Sequence, residues 1–252
     1  MYLLLTNDDG IHAPGIYHLK RALEKVADVV VVAPDTERSA VGHAITLSDP
    51  LRVSEVLKNN SFFGYAVNGM PADCVKLGIK GLMNRVPDLV VSGINLGANT
   101  ATNIIYSGTV SAAAEAVIMG VPGMAISINT YKKPDYDYAA ELSVILAQKI
   151  LKFGLPEGTL LNVNVPSVKR NEIRGIVITR QGRGRFEESI EKRIDPTNRT
   201  YYWFSGRDII LDTEDDVDDI ALRKNKVSIT PIRYDLTDNE MIPKLKSWGL
   251  EK

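Results

Sequence analysis

The chain has 252 residues, 44% hydrophobic and 24% charged, with 30 Lys and Arg against 31 Asp and Glu and a net charge of −1. That balance provides no global field for a nucleic-acid polymer or an anionic membrane, and the single cysteine, Cys74, excludes an internal disulfide and a thiolate metal cluster. No apolar run approaches the ~20 residues that span a bilayer, and residue 1 leads into an apolar strand without a basic leader pattern, so a cytoplasmic protein is expected.

Strand and helix patterns alternate through the first two thirds of the chain. "YLLLTN" (2–7) reads as a strand, and "GIYHLKRALEKVA" then sets Ile16, Leu19, Leu23 and Val26 on one face at helical spacing. "DVVVVAP" (28–34) has no polar alternation, the pattern of a parallel strand covered on both faces. "NGMPADCVKLGI" (68–79) puts Cys74 on a helix as a small apolar residue, with Asp73 placed to cap or orient that helix after Pro71. "DLVVSGIN" (88–95) and "GMAISI" (123–128) repeat the buried-strand pattern. Between them "SAAAEAVIMG" (111–120) predicts a helix ending at Gly120, with Pro122 beyond. "YDYAAELSVILAQKILKFG" (136–154) predicts an amphipathic helix, and "LLNVNVP" (160–166) another strand. This succession predicts an α/β fold with a doubly wound, mostly parallel, Rossmann-like sheet.

The character changes after Val165. "RGIVITRQGRGRF" (174–186) and "RTYYWFSGRDI" (199–209) read as strands of a β-rich C-terminal extension, separated by the charged segment "EESIEKRIDPTN". "DTEDDVDD" (212–219) lacks the spacing of a calcium loop and reads as a solvated acidic loop. "KVSITPI" (226–232) is a last strand, before an amphipathic stretch from "LTDNEMIPKLKSW". The expected division is an α/β core over residues 1–170 and a β-rich arm with C-terminal segment over 171–252. Two strands alone cannot bury Tyr201, Tyr202, Trp203 and Phe204, so this arm is expected to pack on, or exchange into, a second subunit.

Ligands of open α/β sheets bind beyond the carboxyl ends of the parallel strands. The first strand delivers Asn7, Asp8, Asp9 and Gly10 there, and the second delivers Asp35, Arg38, Ser39 and His43 in "APDTERSAVGH". The 88–95 strand delivers Asn95, Asn99, Ser107 and Thr109 in "SGINLGANTATNIIYSGT". Two adjacent carboxylates repel unless a cation neutralises them or one takes a proton. A set of carboxylate, amide and hydroxyl oxygens suits Mg²⁺, Mn²⁺ or Ca²⁺ rather than zinc, and Ser39 and Asn95 are the nearest further oxygens. The competing reading makes one Asp a helix cap and the other a solvated loop residue. Ser107-Gly108-Thr109 precedes the 111–120 helix, whose first amides form an anion site, although either hydroxyl can serve as an ordinary cap. A metal beside such a pocket points to a phosphate. GxxxxGK[ST], a GxGxxG after the first strand and GxSxG are all missing. His12 and His43 fall in crevice loops, as proton donors or as packing residues.

Five ordered motifs, "TNDDG", "APDTERSAVGHAIT", "GMPADCVKL", "VSGINLGANT" and "YSGTVSAAAEA", resemble the SurE family of metal-dependent 5'-nucleotidases. The similarity continues through "ITRQGRGRF", "YYWFSG", "DDVD" and "VSITPI", over nearly the whole chain. The resemblance implies one divalent ion per subunit, Mg²⁺ or Mn²⁺, held by Asp8, Asp9, Ser39 and Asn95. It implies hydrolysis of nucleoside 5'-monophosphates, with 3'-monophosphates and short polyphosphate as substrates of some members. It also implies homodimers or homotetramers with exchanged C-terminal segments. The expected mechanism is attack by a metal-activated water, with Asp8, Asp9 and Asn95 catalytic and Asn99, Ser107, Gly108 and Thr109 on the phosphoryl oxygens. The rival readings are a sensor that binds metal and nucleotide without cleavage, and a phosphotransferase working through an aspartyl-phosphate at Asp8 or Asp9.

Overall fold

The computed structural model describes residues 1–132 and 134–251. Leu3, Leu4 and Leu5 of β1 (Tyr2–Thr6) are fully buried, and they alternate between two layers. Leu3 and Leu5 pack with Ile16, Leu19 and Leu23 of α1 (Pro14–Leu23) and with Leu142, Leu146 and Ile150 of α5 (Asp137–Phe153). Leu4 faces the other way, onto Cys74 and Val75 of α2 (Pro71–Leu77) and Ala112 and Ala116 of α4 (Gly108–Ile118). The unbroken apolar run is thus a strand with helices on both faces, each buried leucine contributing ~2 kcal/mol relative to exposure. Cys74 is fully buried and so belongs to the core, as its helical context predicts, and that burial pushes its thiol up.

The main sheet has nine strands in the order β3-β4-β2-β1-β5-β6-β7-β11-β8. The elements not yet given are β2 (Asp28–Pro34), β3 (Val53–Lys58), β4 (Ser61–Val67), β5 (Leu89–Leu96), α3 (Asn103–Tyr106), β6 (Gly123–Asn129) and β7 (Thr159–Pro166). After them come β8 (Ile176–Ile178), β9 (Arg185–Ile194), β10 (Thr200–Ile209), α6 (Asp218–Arg223), β11 (Val227–Arg233) and α7 (Met241–Lys246). Strands β4, β2, β1, β5, β6 and β7 run parallel; β3 and β11 are antiparallel to β4 and β7. From β1 the chain builds outward through β2 to β4, then returns to place β5 on the other side of β1. The carboxyl ends of β1 and β5 therefore flank the point where strand order reverses, the crevice of a doubly wound sheet. The fold matches the α/β expectation, with extra antiparallel strands toward the C-terminus.

Three differences from the sequence reading have physical causes. The β3–β4 hairpin turns on Asn59 and Asn60, both at positive φ (52° and 59°), a two-residue turn that "NN" between two alternating runs signals. Most of the charged segment read as lying between strands, residues 187–194, belongs to β9, which pairs over ten positions with β10, and residues 195–198 make the turn. The strand's residues are exposed on both faces, so no buried stripe gave the sequence a period of two. The acidic loop is only partly solvated. Asp212 and Asp218 are 3% and 0% exposed, because they accept the amide protons of Arg183 and Gly182 in the neighbouring turn. Among the described residues no helix is long and apolar enough to cross a membrane.

Candidate functional site

Beyond β1 the fully buried Asn7 closes a turn, its Nδ2 donating to the Gly10 carbonyl at 2.9 Å. Gly10 takes φ +91°, and the loop after β2 lies against its Cα, so only glycine fits. Asp8 is buried. Its Oδ2 accepts from the Thr109 amide at 3.1 Å and its Oδ1 from the Thr109 hydroxyl. Gly108 allows this contact, since a Cβ there would lie 2.8 Å from Asp8 Cβ and 3.0 Å from its Oδ2. The first turn of α4 thus rests on a carboxylate, the charge its dipole favours. Ser107 caps the helix, its Oγ accepting from the Val110 amide at 3.1 Å. Among the described residues the Gly108 N–H has no acceptor.

Burial pushes the Asp8 carboxyl up, against the opposing Thr109 bonds. Asp9 is pushed up to about 7, first by burial and then by the charge of Asp8, with the Leu96 backbone bond opposing. Glu37 adds a smaller repulsion at both. The pair therefore resists carrying two charges unless a cation joins it. Pairing of β5 with β6 slips between Ser92 and Asn95, an irregularity at the strand end that sets the position of Asn95. Its Nδ2 donates to the Gly97 carbonyl at 2.8 Å, which orients the amide and leaves Oδ1 as its open acceptor among the described residues. The Arg38 amide donates to the Asp8 carbonyl at 2.7 Å, drawing the start of the loop after β2 against Asp8. Ser39 next to it is exposed, and its Oγ donates to Glu37 at 2.6 Å.

The structure thus sets Asp8, Asp9 and Asn95 on the ends of the adjacent strands β1 and β5, with Ser39 on the neighbouring loop. Among the described residues no group of three His, Cys, Asp or Glu side chains is arranged to hold a metal. An ion at the acidic pair would depend on amide and hydroxyl oxygens beside it, and such hard donors fit Mg²⁺ or Mn²⁺.

Asn99 lies in a buried amide network. Its Nδ2 donates to Ser127 Oγ at 2.9 Å and its backbone amide to Asn164 Oδ1 at 2.8 Å. Its carbonyl accepts from Asn162 and Asn164 at 2.7 and 3.0 Å. The loop after β5 is stitched in this way to the ends of β6 and β7. Sequence reasoning passed over Ser127, Asn162 and Asn164. The polar residues at alternating positions of "LLNVNVP" were the available signal. His43 is tied down rather than free, its Nε2 2.8 Å from Glu115 Oε2 on α4, while Lys76 binds the other oxygen. Burial pushes the Glu115 carboxyl up, but these two partners outweigh it and hold the group low. Thr46 is fixed likewise, donating its amide and hydroxyl to the buried Asp73, which also accepts from the Met70 amide. Asp218 clamps the far side, accepting from Ala101 and Gly182 amides at 2.9 Å each. His12 is exposed.

A family model described as survival protein SurE matches residues 3–188. A protein of Syntrophobacter fumaroxidans named 5'-nucleotidase SurE is 50% identical over 250 residues, covering 99% of this chain and all of that protein. One of Moorella thermoacetica with the same name is 50% identical over 239 residues, covering 94% and 92%. The crystal structure of the SurE protein from Aquifex aeolicus superposes with a TM-score of 0.86 at 40% identity, covering 99% of this chain and 100% of that one. By its motifs, its topology and these similarities across its length, the chain belongs to the SurE family.

Proposed function

We propose that this chain is a 5'-nucleotidase, a divalent-metal-dependent phosphomonoesterase that converts nucleoside 5'-monophosphates to nucleoside and phosphate. The observation that carries the reading is the Asp8–Asp9 pair, both carboxyls pushed up, set at the sheet's reversal point and against a helix N-terminus. An Mg²⁺ or Mn²⁺ ion held by Asp8, Asp9, Ser39 and Asn95 would neutralise the pair and supply Lewis-acid charge at the phosphoryl group. The chain's own groups then divide the remaining work. The Gly108 N–H, free of other acceptors, donates to a phosphoryl oxygen as charge builds on it. Ser107 caps that turn, and Thr109 ties it to Asp8. Asn99 keeps the loop after Asn95 in place through its bonds to Ser127 and Asn164.

Asp8→Asn tests the reading through phosphate release from AMP with Mn²⁺. The unaltered protein should turn over and stop on chelation, and the variant should lose nearly all turnover while its circular dichroism is unchanged. Full activity of the variant, or of the unaltered protein in chelator, refutes it. AMP binding without release would establish the sensor instead.

The working unit we propose is a homodimer or homotetramer. The β9–β10 ribbon exposes Ile190, Tyr202, Trp203 and Phe204 at 57–75%, and the C-terminal segment exposes Leu236, Trp248 and Leu250. Apolar surface of that extent on a two-stranded ribbon and a tail is what a second copy of the chain would cover.

A further inference from the structure

Glu115 is the one charged residue of α4, and its side chain is 4% exposed. A carboxylate resists burial unless it is paired, and an apolar residue in its place is often no less stable. Stability alone therefore does not account for an acid in this helix. Its two partners come from different elements. Lys76 of α2 binds one oxygen, and His43 Nε2 stands 2.8 Å from the other. The ionised carboxylate can only accept, so Nε2 carries the proton.

His43 belongs to the segment 35–52 between β2 and β3, which contains no helix or strand. Individual bonds hold it instead. The Arg38 amide ties its start to the Asp8 carbonyl, and Thr46 ties it further on to Asp73 of α2. Between these ties it lies along α4. The Gly42 amide donates to the Tyr106 carbonyl at 3.0 Å, one residue before the capping Ser107. His43 reaches Glu115 about two turns further along the same helix. Ser39 sits inside this span, and Ala40 beside it has φ +56°. A left-handed alanine persists only where its surroundings impose that conformation, and the bonds of Arg38, Gly42 and His43 bracket it.

Resting on the nucleotidase reading, we infer that Glu115 is a positioning residue of the reaction. Through His43 it fixes the Ser39 loop in register with α4, so that the ion-holding and phosphate-holding sides of the site keep one spacing. Neither Glu115 nor His43 needs to touch substrate for this.

The test measures Mn²⁺ binding by calorimetry without substrate, beside kcat/KM for AMP. Glu115→Ala suits a helix interior, and His43→Ala, at a partly exposed position, covers the case in which losing the acid alters the fold. Either should weaken Mn²⁺ binding about tenfold and lower kcat/KM about tenfold to 100-fold. The double variant should be no worse than either single one, because both cut one link. A dissociation constant does not weaken because part of the protein has unfolded, so a merely structural role would leave it in place. His43→Gln, whose amide N–H has a similar reach, should bind Mn²⁺ within about threefold of the unaltered protein. In a Ser39→Ala background either alanine substitution should have no further effect, since the group it positions is gone. Unchanged Mn²⁺ binding in both alanine variants overturns the inference. So does an effect of full size in the Ser39→Ala background, or a His43→Gln variant as weak as His43→Ala. Mn²⁺ binding that depends on Glu115 only through Ser39, in a protein that does not cleave AMP, would support the positioning role and refute the nucleotidase reading alone.

Discussion

Asp9→Asn should stabilise the metal-free protein, by an amount that grows with pH. The Asp9 carboxyl is held at about 7 in the folded chain against an ordinary value of 3.8. Between those values the native state holds a proton that the unfolded state has released. Stability therefore falls as pH rises through this window, at about 1.4 kcal/mol per unit where the difference is one full proton. Below 3.8 both states are protonated and the penalty vanishes; above about 7 it is complete, at up to roughly 4 kcal/mol. Asparagine keeps the shape and cannot ionise. Subtracting the unaltered protein from the variant cancels every other titrating group that the two share. Denaturant unfolding in chelator should show the variant's advantage growing by about 3 kcal/mol from pH 5 to pH 8. Adding Mn²⁺ should reverse the order, since the unaltered protein gains binding energy that the variant lacks. A difference that stays flat with pH, or an unaltered protein that Mn²⁺ fails to stabilise, would refute the account of Asp8 and Asp9 as a strained pair awaiting a cation.

Gly108→Ala places a Cβ 2.8 Å from Asp8 Cβ, so α4 must withdraw from the site; turnover of AMP should fall about 100-fold, and the melting temperature should drop despite alanine's better helix propensity. Asp218→Ala strands the Ala101 and Gly182 amides without an acceptor, at about 1–3 kcal/mol each; urea unfolding should show a loss of about 2–6 kcal/mol, and unaltered stability would refute the clamp. Trp203→Glu with Phe204→Glu should lower the mass measured by light scattering toward that of a single chain, and an unchanged mass would remove the hairpin from the proposed interface.

Much of the site was legible because its residues sit where a local pattern breaks. "YLLLT" cannot continue apolar and buried through two acids, so Asp8 and Asp9 had to stand at a strand end. "YSGTV" announces a helix start by its serine. What the sequence hid was which partner each hydroxyl and amide takes. Thr109 could have faced solvent, ligand or Asp8, and only the approach of α4 over Gly108 decides among them. The Glu115 bridge from His43 to Lys76 joins residues 72 and 39 positions apart, and a lone Glu in an alanine-rich helix gives no sign of it. β9 was obscured for the opposite reason. A ribbon exposed on both faces is under no demand to alternate, so its charges read as a loop.

The largely neutral scaffold under the active-site loop has a kinetic consequence. Asn99, Ser127, Asn162 and Asn164 hold that loop around Asn99 with amides and a hydroxyl, none of which gains or loses a proton between pH 4 and 10, and Asp218 is the carboxylate that holds it further on, at the Ala101 amide. The support at Asn99 is therefore the same at every working pH, while the support at Ala101 follows the charge of Asp218. An acid limb in kcat/KM should therefore come from carboxylates, and Asp218→Asn would separate the share of Asp218 from that of Asp8 and Asp9.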